Sequence, residues 1–296
     1  MTENFTVNKA PNESRPRLTT EEWKEMKKQE RDATFAMIND TAQEIVSDPA
    51  KFKAFLDTQS RMNRYSAANA MLIYKQKPEA TQLKSFGDWG QDNVRISKGE
   101  KSLSIIEPRE YTREDGSTGT AFDVKKVFDV SQTSNGKRLP APTENRDPQK
   151  LIAIMLDTAP VNIESTEEMP FPNMGAFYNN DKQTLFVKKD LGDSVGLFQC
   201  VAQELGHAQL AINSDVYSRT EAGFKAVCIG YMLCKKFGVD AKNFNIGEIP
   251  PELKGADSKG IREALEKTRS SMTEIYSRVS DELYRQKQER SKDYER

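Results

Sequence analysis

The residues best suited to chemistry lie in the stretch Cys200-Val201-Ala202-Gln203-Glu204-Leu205-Gly206-His207-Ala208. Its apolar neighbours read as helix, and its spacing is that of the zinc-binding pattern H-E-x-x-H with Gln203 in place of the first His. In an intact pattern two imidazoles one helical turn apart hold Zn²⁺, and the Glu beside the first accepts a proton from the metal-bound water. Glu204 and His207 keep their places, and His207 is the single His of the chain, so no other imidazole can replace the missing ligand. A carboxamide is a poor zinc ligand. The expectation is therefore no catalytic residue and no cofactor, zinc included, with Glu204 and His207 as a buried, hydrogen-bonded remnant between packed helices. The alternative is a zinc peptidase with rearranged ligands and Glu204 as general base. Cys200, three residues before Gln203, and Cys228 are the thiolates that could rebuild such a site.

A second constellation lies between residues 61 and 101. Arg61, Arg64, Lys75 and Lys77 are followed by Arg95, Lys98 and Lys101. Tyr65, Tyr74 and Trp89 interleave with them, and Asn63, Asn69 and Gln76 add amides. Cations that follow phosphates, with aromatic faces for base stacking, hold single-stranded nucleic acid without reading its sequence. The same residues also suit a solvated basic face over core aromatics.

The elements that must position these groups follow from punctuation and period. Thr19 and Glu22 form a capping box opening a helix over about 20–47, along which Trp23, Met26, Phe35, Ile38, Ala42 and Ile45 recur at helical spacing. Asp48-Pro49 starts a second helix, and a third runs from near Ser66 to the Lys77-Pro78 stop. A short helix near 86–89 precedes a strand over 102–106 ending at Pro108, a turn at Asp115-Gly116, and a returning strand from Phe122 to Val130 with a bulge at Lys125-Lys126. Short strands at 177–178 and 185–187, helices at 150–157, 193–213 and 219–236, and a long helix from Ser258 complete the reading. The fold class is α+β: N-terminal helices with a small antiparallel sheet, linked to a mostly helical unit with a few short strands and a C-terminal helix. The expected boundaries are a disordered stretch at 1–18, a first domain at 19–133, a linker at 134–149, a second domain at 150–250, and a C-terminal helix with a charged tail at 251–296.

Composition limits the partners. The formal charge is -1, so contact with nucleic acid requires a local basic face. Three Cys are too few for a disulfide framework and read as free thiols in a reducing cytoplasm. The polar N-terminus and the lack of a long apolar run argue against secretion and against a membrane partner.

Five blocks in order, Arg64-Tyr65-Ser66-Ala67-Ala68-Asn69, Gln76-Lys77-Pro78, Phe86-x-x-Trp89, Val94-Arg95 leading to Lys98-Gly99-Glu100-Lys101, and Val127-Phe128-Asp129-Val130-Ser131-Gln132-Thr133, resemble the N-terminal domain of ArdC-like antirestriction proteins and their LtrC-like relatives of conjugative elements. The resemblance covers about 20–135 and extends more weakly to about 245. It implies an N-terminal domain that binds single-stranded DNA and a zincin-like metallopeptidase domain with a third-ligand Glu on the helix after H-E-x-x-H. Val227 stands where that Glu would be, beside Cys228. The resemblance thus implies a single-strand-binding, antirestriction-like accessory protein of a mobile element whose peptidase-like domain has become a scaffold or a docking module for a protein partner. A third reading makes the C-terminal helix a coiled-coil partner site, with DNA binding lost.

Overall fold

The computed structural model describes residues 18–134, 147–171, 174–189 and 192–294. Residues 1–17 and most of the segment read as a linker lie outside them.

The first helix, α1 (Thr20–Ser47), opens on the Thr19–Glu22 capping box. Asp48 ends it and caps α2 (Pro49–Arg61) by accepting from the Ala50 N–H at 2.8 Å. Ser66 caps α3 (Ala67–Gln76), which stops before Lys77-Pro78. The sheet that follows has the order β1-β3-β2, from β1 (Leu83–Ser85), β2 (Leu103–Thr112) and β3 (Thr118–Asp129), with α4 (Phe86–Gln91) inserted after β1.

Two details of this sheet differ from expectation. Strand β2 does not end at Pro108 but runs to Thr112, paired with β3 from Leu103↔Val127 to Thr112↔Thr118. Pro108 is tolerated because β2 is an edge strand, where a residue lacking an N–H breaks no ladder bond. Nor is there a bulge at Lys125-Lys126, since the register is continuous there. The pair breaks the apolar alternation because Lys125 reaches Glu107 and Lys126 reaches Glu30 of α1, each at 2.6 Å.

Two amides of α3 meet the outer edge of β2. Asn69 accepts from the Ile106 N–H at 2.8 Å and donates to the Ile106 carbonyl at 2.9 Å. Gln76, two turns on, does the same to Ser104 at 2.8 and 2.9 Å. Backbone groups that β3 cannot reach are thereby paired.

The rest of the chain forms α5 (Pro148–Asp157), β4 (Asn162–Thr166), β5 (Ala176–Asn179), β6 (Thr184–Lys188), α6 (Ser194–Ile212), α7 (Arg219–Phe237), α8 (Pro251–Lys254) and α9 (Ser258–Tyr294). The second sheet has the order β4-β6-β5, with β4 parallel and β5 antiparallel to β6. Strand β4 carries a single aliphatic residue, Ile163, and leaves no alternation to read. Gly238, in the left-handed region at φ 73°, ends α7.

One hydrophobic core runs through both halves, joining Ile38, Phe52 and Phe55 to Leu205, Ile229 and the inner face of α9. Each fully buried large aliphatic there contributes roughly 1.5–3 kcal/mol. The α9 stripe Ile261, Leu265, Met272, Ile275 and Val279 is buried in this core, so up to Val279 it packs within the chain. Polar ties cross the same junction: Tyr231 donates to Asp57 at 2.6 Å, Lys236 to Asn63 at 2.8 Å, and the Ala67 N–H to Glu266 at 2.7 Å. Among the described residues no helix is long and apolar enough to cross a membrane.

Candidate functional site

Helices α6 and α7 approach closely because two glycines face across them. A Cβ on Gly230 would lie 3.2 Å from the Gln203 Cα and 2.7 Å from the Phe244 ring, and one on Gly206 would lie 3.1 Å from Ile229. This contact sets Gln203-Glu204-x-x-His207 against α7 and β5.

Glu204 is 2% exposed, and both of its oxygens are engaged. Oε1 accepts from Arg219 Nη2 at 2.7 Å, and Oε2 accepts from Arg219 Nη1 at 3.0 Å and from the Tyr178 N–H of β5 at 2.8 Å. Arg219 also donates to the Tyr178 carbonyl at 3.2 Å and lies 4.6 Å over the Phe177 ring. Burial works against the Arg219 charge, but the hydrogen bonds and charge of Glu204, with a smaller contribution from Tyr217, together outweigh it and hold its pKa above the ordinary value. A bidentate guanidinium–carboxylate pair with a backbone donor in addition occupies three of the carboxylate's roughly four lone-pair sites. This Glu204 is an electrostatic anchor for β5 and the start of α7.

His207, also 2% exposed, is hydrogen-bonded through Nδ1 to Tyr217 Oη at 2.9 Å. Burial, with the nearby Arg219 charge, lowers its pKa to about 3, so the ring is neutral. Val227 and Gln203 are half-buried. Cys228 is buried, and burial pushes its thiol far up, away from the thiolate that a metal needs. Among the described residues no three His, Cys, Asp or Glu side chains converge as a metal-binding group. The donor set therefore does not fit a zinc ion: it offers one imidazole, a carboxamide and an aliphatic side chain where three ligands are needed.

The sequence reading missed Arg219. A trace of it was visible, because a cation in the first turn of a helix opposes the helix dipole and calls for a compensating anion.

The fold divides the N-terminal candidates into two groups, with Asn63 among the engaged ones through Lys236. Arg61 donates to the carbonyls of Pro78 and Ala80 and holds the turn after α3. Asn69 and Gln76 are engaged on β2. Lys75 pairs with Glu44 at 2.6 Å and Lys77 with Glu79 at 2.8 Å. Trp89 is 3% exposed and donates to the Phe128 carbonyl at 2.9 Å. Tyr74 is half-buried edge-on to Phe55, and Tyr65 is half-buried on the small core between α3 and the sheet.

Arg64, Arg95, Lys98 and Lys101 are exposed, and among the described residues no carboxylate pairs with them. The last three share one segment. Ile96 bridges to Thr133, and Gln132 donates to Glu100 at 3.0 Å and to the Lys101 carbonyl at 2.7 Å. Gly99, at φ 90°, makes the turn between them. Asp129, which accepts from the Thr81, Gln82 and Ser131 N–H groups, fixes the end of β3 from which Gln132 reaches out.

Fold and site together define an α+β protein in which N-terminal helices and a small antiparallel sheet pack on the α6–α7 helix pair that carries Gln203-Glu204-x-x-His207. No family model matches the chain, and no curated protein matches it. Among solved structures its fold is that of the antirestriction protein ArdC from plasmid R388. The Mn(II)-bound crystal structure of that protein is 15% identical, with a TM-score of 0.55 over 80% of this chain and 97% of that one. The metal-free structure is 16% identical, with a TM-score of 0.50 over 73% and 86%.

Proposed function

We propose that this chain is a single-stranded-DNA-binding accessory protein of the antirestriction type, acting in the cytoplasm for a mobile genetic element, with its zincin-like part serving as scaffold or docking module and not as a peptidase. The observation that carries this reading is the division of the N-terminal cations. Lys75 and Lys77 are neutralised by acids of the same chain, while Arg64, Arg95, Lys98 and Lys101 are exposed without a carboxylate partner among the described residues. In a chain of formal charge -1, these unpaired cations, three of them on the 95–101 segment, supply the local basic charge that phosphate binding needs. Antirestriction is the activity named for the R388 protein of the same fold. The non-enzymatic part of the proposal is supported by Glu204, whose two oxygens are already engaged by Arg219 and the Tyr178 N–H.

The test is binding of a labelled single-stranded oligonucleotide as salt is raised. Affinity should be sequence-tolerant and fall with a log–log slope of about -0.7 per phosphate contacted. The combined R64E/R95E/K98E/K101E variant should abolish binding at salt where the parent binds. Unchanged affinity in that variant would remove these residues from the interface.

A further inference from the structure

Trp23 and Phe122 are exposed aromatics on facing elements, Trp23 52% and Phe122 38% exposed, and they line one groove of about 460 Å³ between α1 and the β2–β3 hairpin. Helical spacing alone assigns Trp23 and Met26 to a core face, yet both lie in water, because the first turns of α1 extend beyond the body of the protein. Beside the groove, Phe35 of α1 meets Phe122 edge-on at 6.2 Å between ring centres and supports it from behind. Glu30 fixes α1 to the hairpin by pairing with Lys126 at 2.6 Å, and within α1 it also pairs with Lys27 at 2.8 Å.

The charge of the groove is one-sided. Lys24, Lys27, Lys28, Arg31 and Arg109 line it against two carboxylates, Glu30 and Asp123. Both carboxylates are engaged, Glu30 as described and Asp123 with Arg109 at 2.7 Å. Lys24, Lys28 and Arg31 have no acidic partner among the described residues. They lie on one side of α1 with Trp23, over an axial length of about 12 Å.

A ligand for this groove must bring several negative charges and flat apolar faces together. A nucleic-acid strand with unpaired bases has both. A duplex hides its base faces, and an acidic peptide supplies charge without the rings. We propose that single-stranded DNA lies in the groove between α1 and the hairpin, with its bases on Trp23 and Phe122 and its phosphates on Lys24, Lys28 and Arg31. This rests on the single-strand-binding reading above, and it assigns the stacking to residues outside the set weighed from the sequence.

The chain has two tryptophans, and Trp89 is buried out of reach of a stacked base, so quenching of the intrinsic fluorescence by a bound strand reports Trp23. Titration with an oligothymidylate of about a dozen nucleotides should quench that emission, since a stacked base contacts the indole face. Trp23→Phe should bind nearly as well with the quenching lost. Trp23→Ala, at an exposed site, and the W23A/F122A pair should each bind about tenfold or more weakly, with the melting temperature of Trp23→Ala unchanged. K24E/K28E/R31E should lose affinity and flatten the salt dependence. If W23A/F122A binds like the parent while R64E/R95E/K98E/K101E does not, the groove is overturned and the broader reading stands. A parent protein that binds no oligothymidylate overturns both, and equal affinity for a duplex of the same length overturns the stacking.

Discussion

In the α6–α7 site the groups that could do chemistry already hold one another, whereas in the groove beside α1 the cations and rings face water. Glu204 has Arg219 and a backbone N–H, and His207 has Tyr217. Lys24, Lys28 and Arg31 have no acid among the described residues, and Trp23 has no apolar cover. The motif that stands out in the sequence is thus tied into the packing of α6 with β5 and α7. The helix whose pattern suggests ordinary core packing carries the surface available to a partner.

The comparison can be broken most directly at Arg219. Arg219→Met leaves Glu204 buried without its cation and should cost about 3 kcal/mol in chemical denaturation. The double variant E204Q/R219M should recover part of that loss, and single-strand affinity should not change in either. A loss that is the same in both variants would mean that the pair is not coupled.

A smaller effect is expected at Asn69. Replacing it with Ala unpairs the N–H and carbonyl of Ile106, a cost of about 2 kcal/mol. If instead affinity falls and stability holds, the amide belongs to the DNA interface and not to the sheet.

The smallest effect concerns pH. The folded pKa of His207, about 3, lies below its ordinary value of 6.5, so between those values the unfolded chain binds the extra proton. Stability is complete above pH 6.5 and declines as pH falls toward 3. Between pH 7.5 and 5.5 this single residue should account for about 1.4 kcal/mol. As His207 is the only imidazole, His207→Gln should remove that slope. A slope that persists in the variant would belong to carboxylates.

Much of the fold was legible because its punctuation is chemical. Thr19 with Glu22, Asp48-Pro49, Ser66 and Gly238 each open or close a helix where the residue types require it. Pro108 misled because a strand-ending residue and an edge-strand residue look alike until the partner strand is known. The period of α1 placed Trp23 with Ile38 and Ile45, but a period cannot say which half of a long helix has something to pack against. At the candidate sites the ambiguity was chemical. Asn69 and Gln76 have the same donors and acceptors for a base as for a peptide group, and Arg219 lies 15 residues from the glutamate it neutralises.

Each sheet is closed at one margin by side chains. Asn69 and Gln76 stand beside β2 as a surrogate fourth strand, followed by Pro108, which has no N–H to offer. Glu204 and Arg219 do the same for β5 at Tyr178, one taking its N–H and the other its carbonyl. An extended segment that docks by strand addition needs those same backbone groups. At Ser104, Ile106 and Tyr178 the backbone groups are therefore already taken, and neither an extended peptide nor a second copy of the chain can add a strand there without displacing the side chains that hold them.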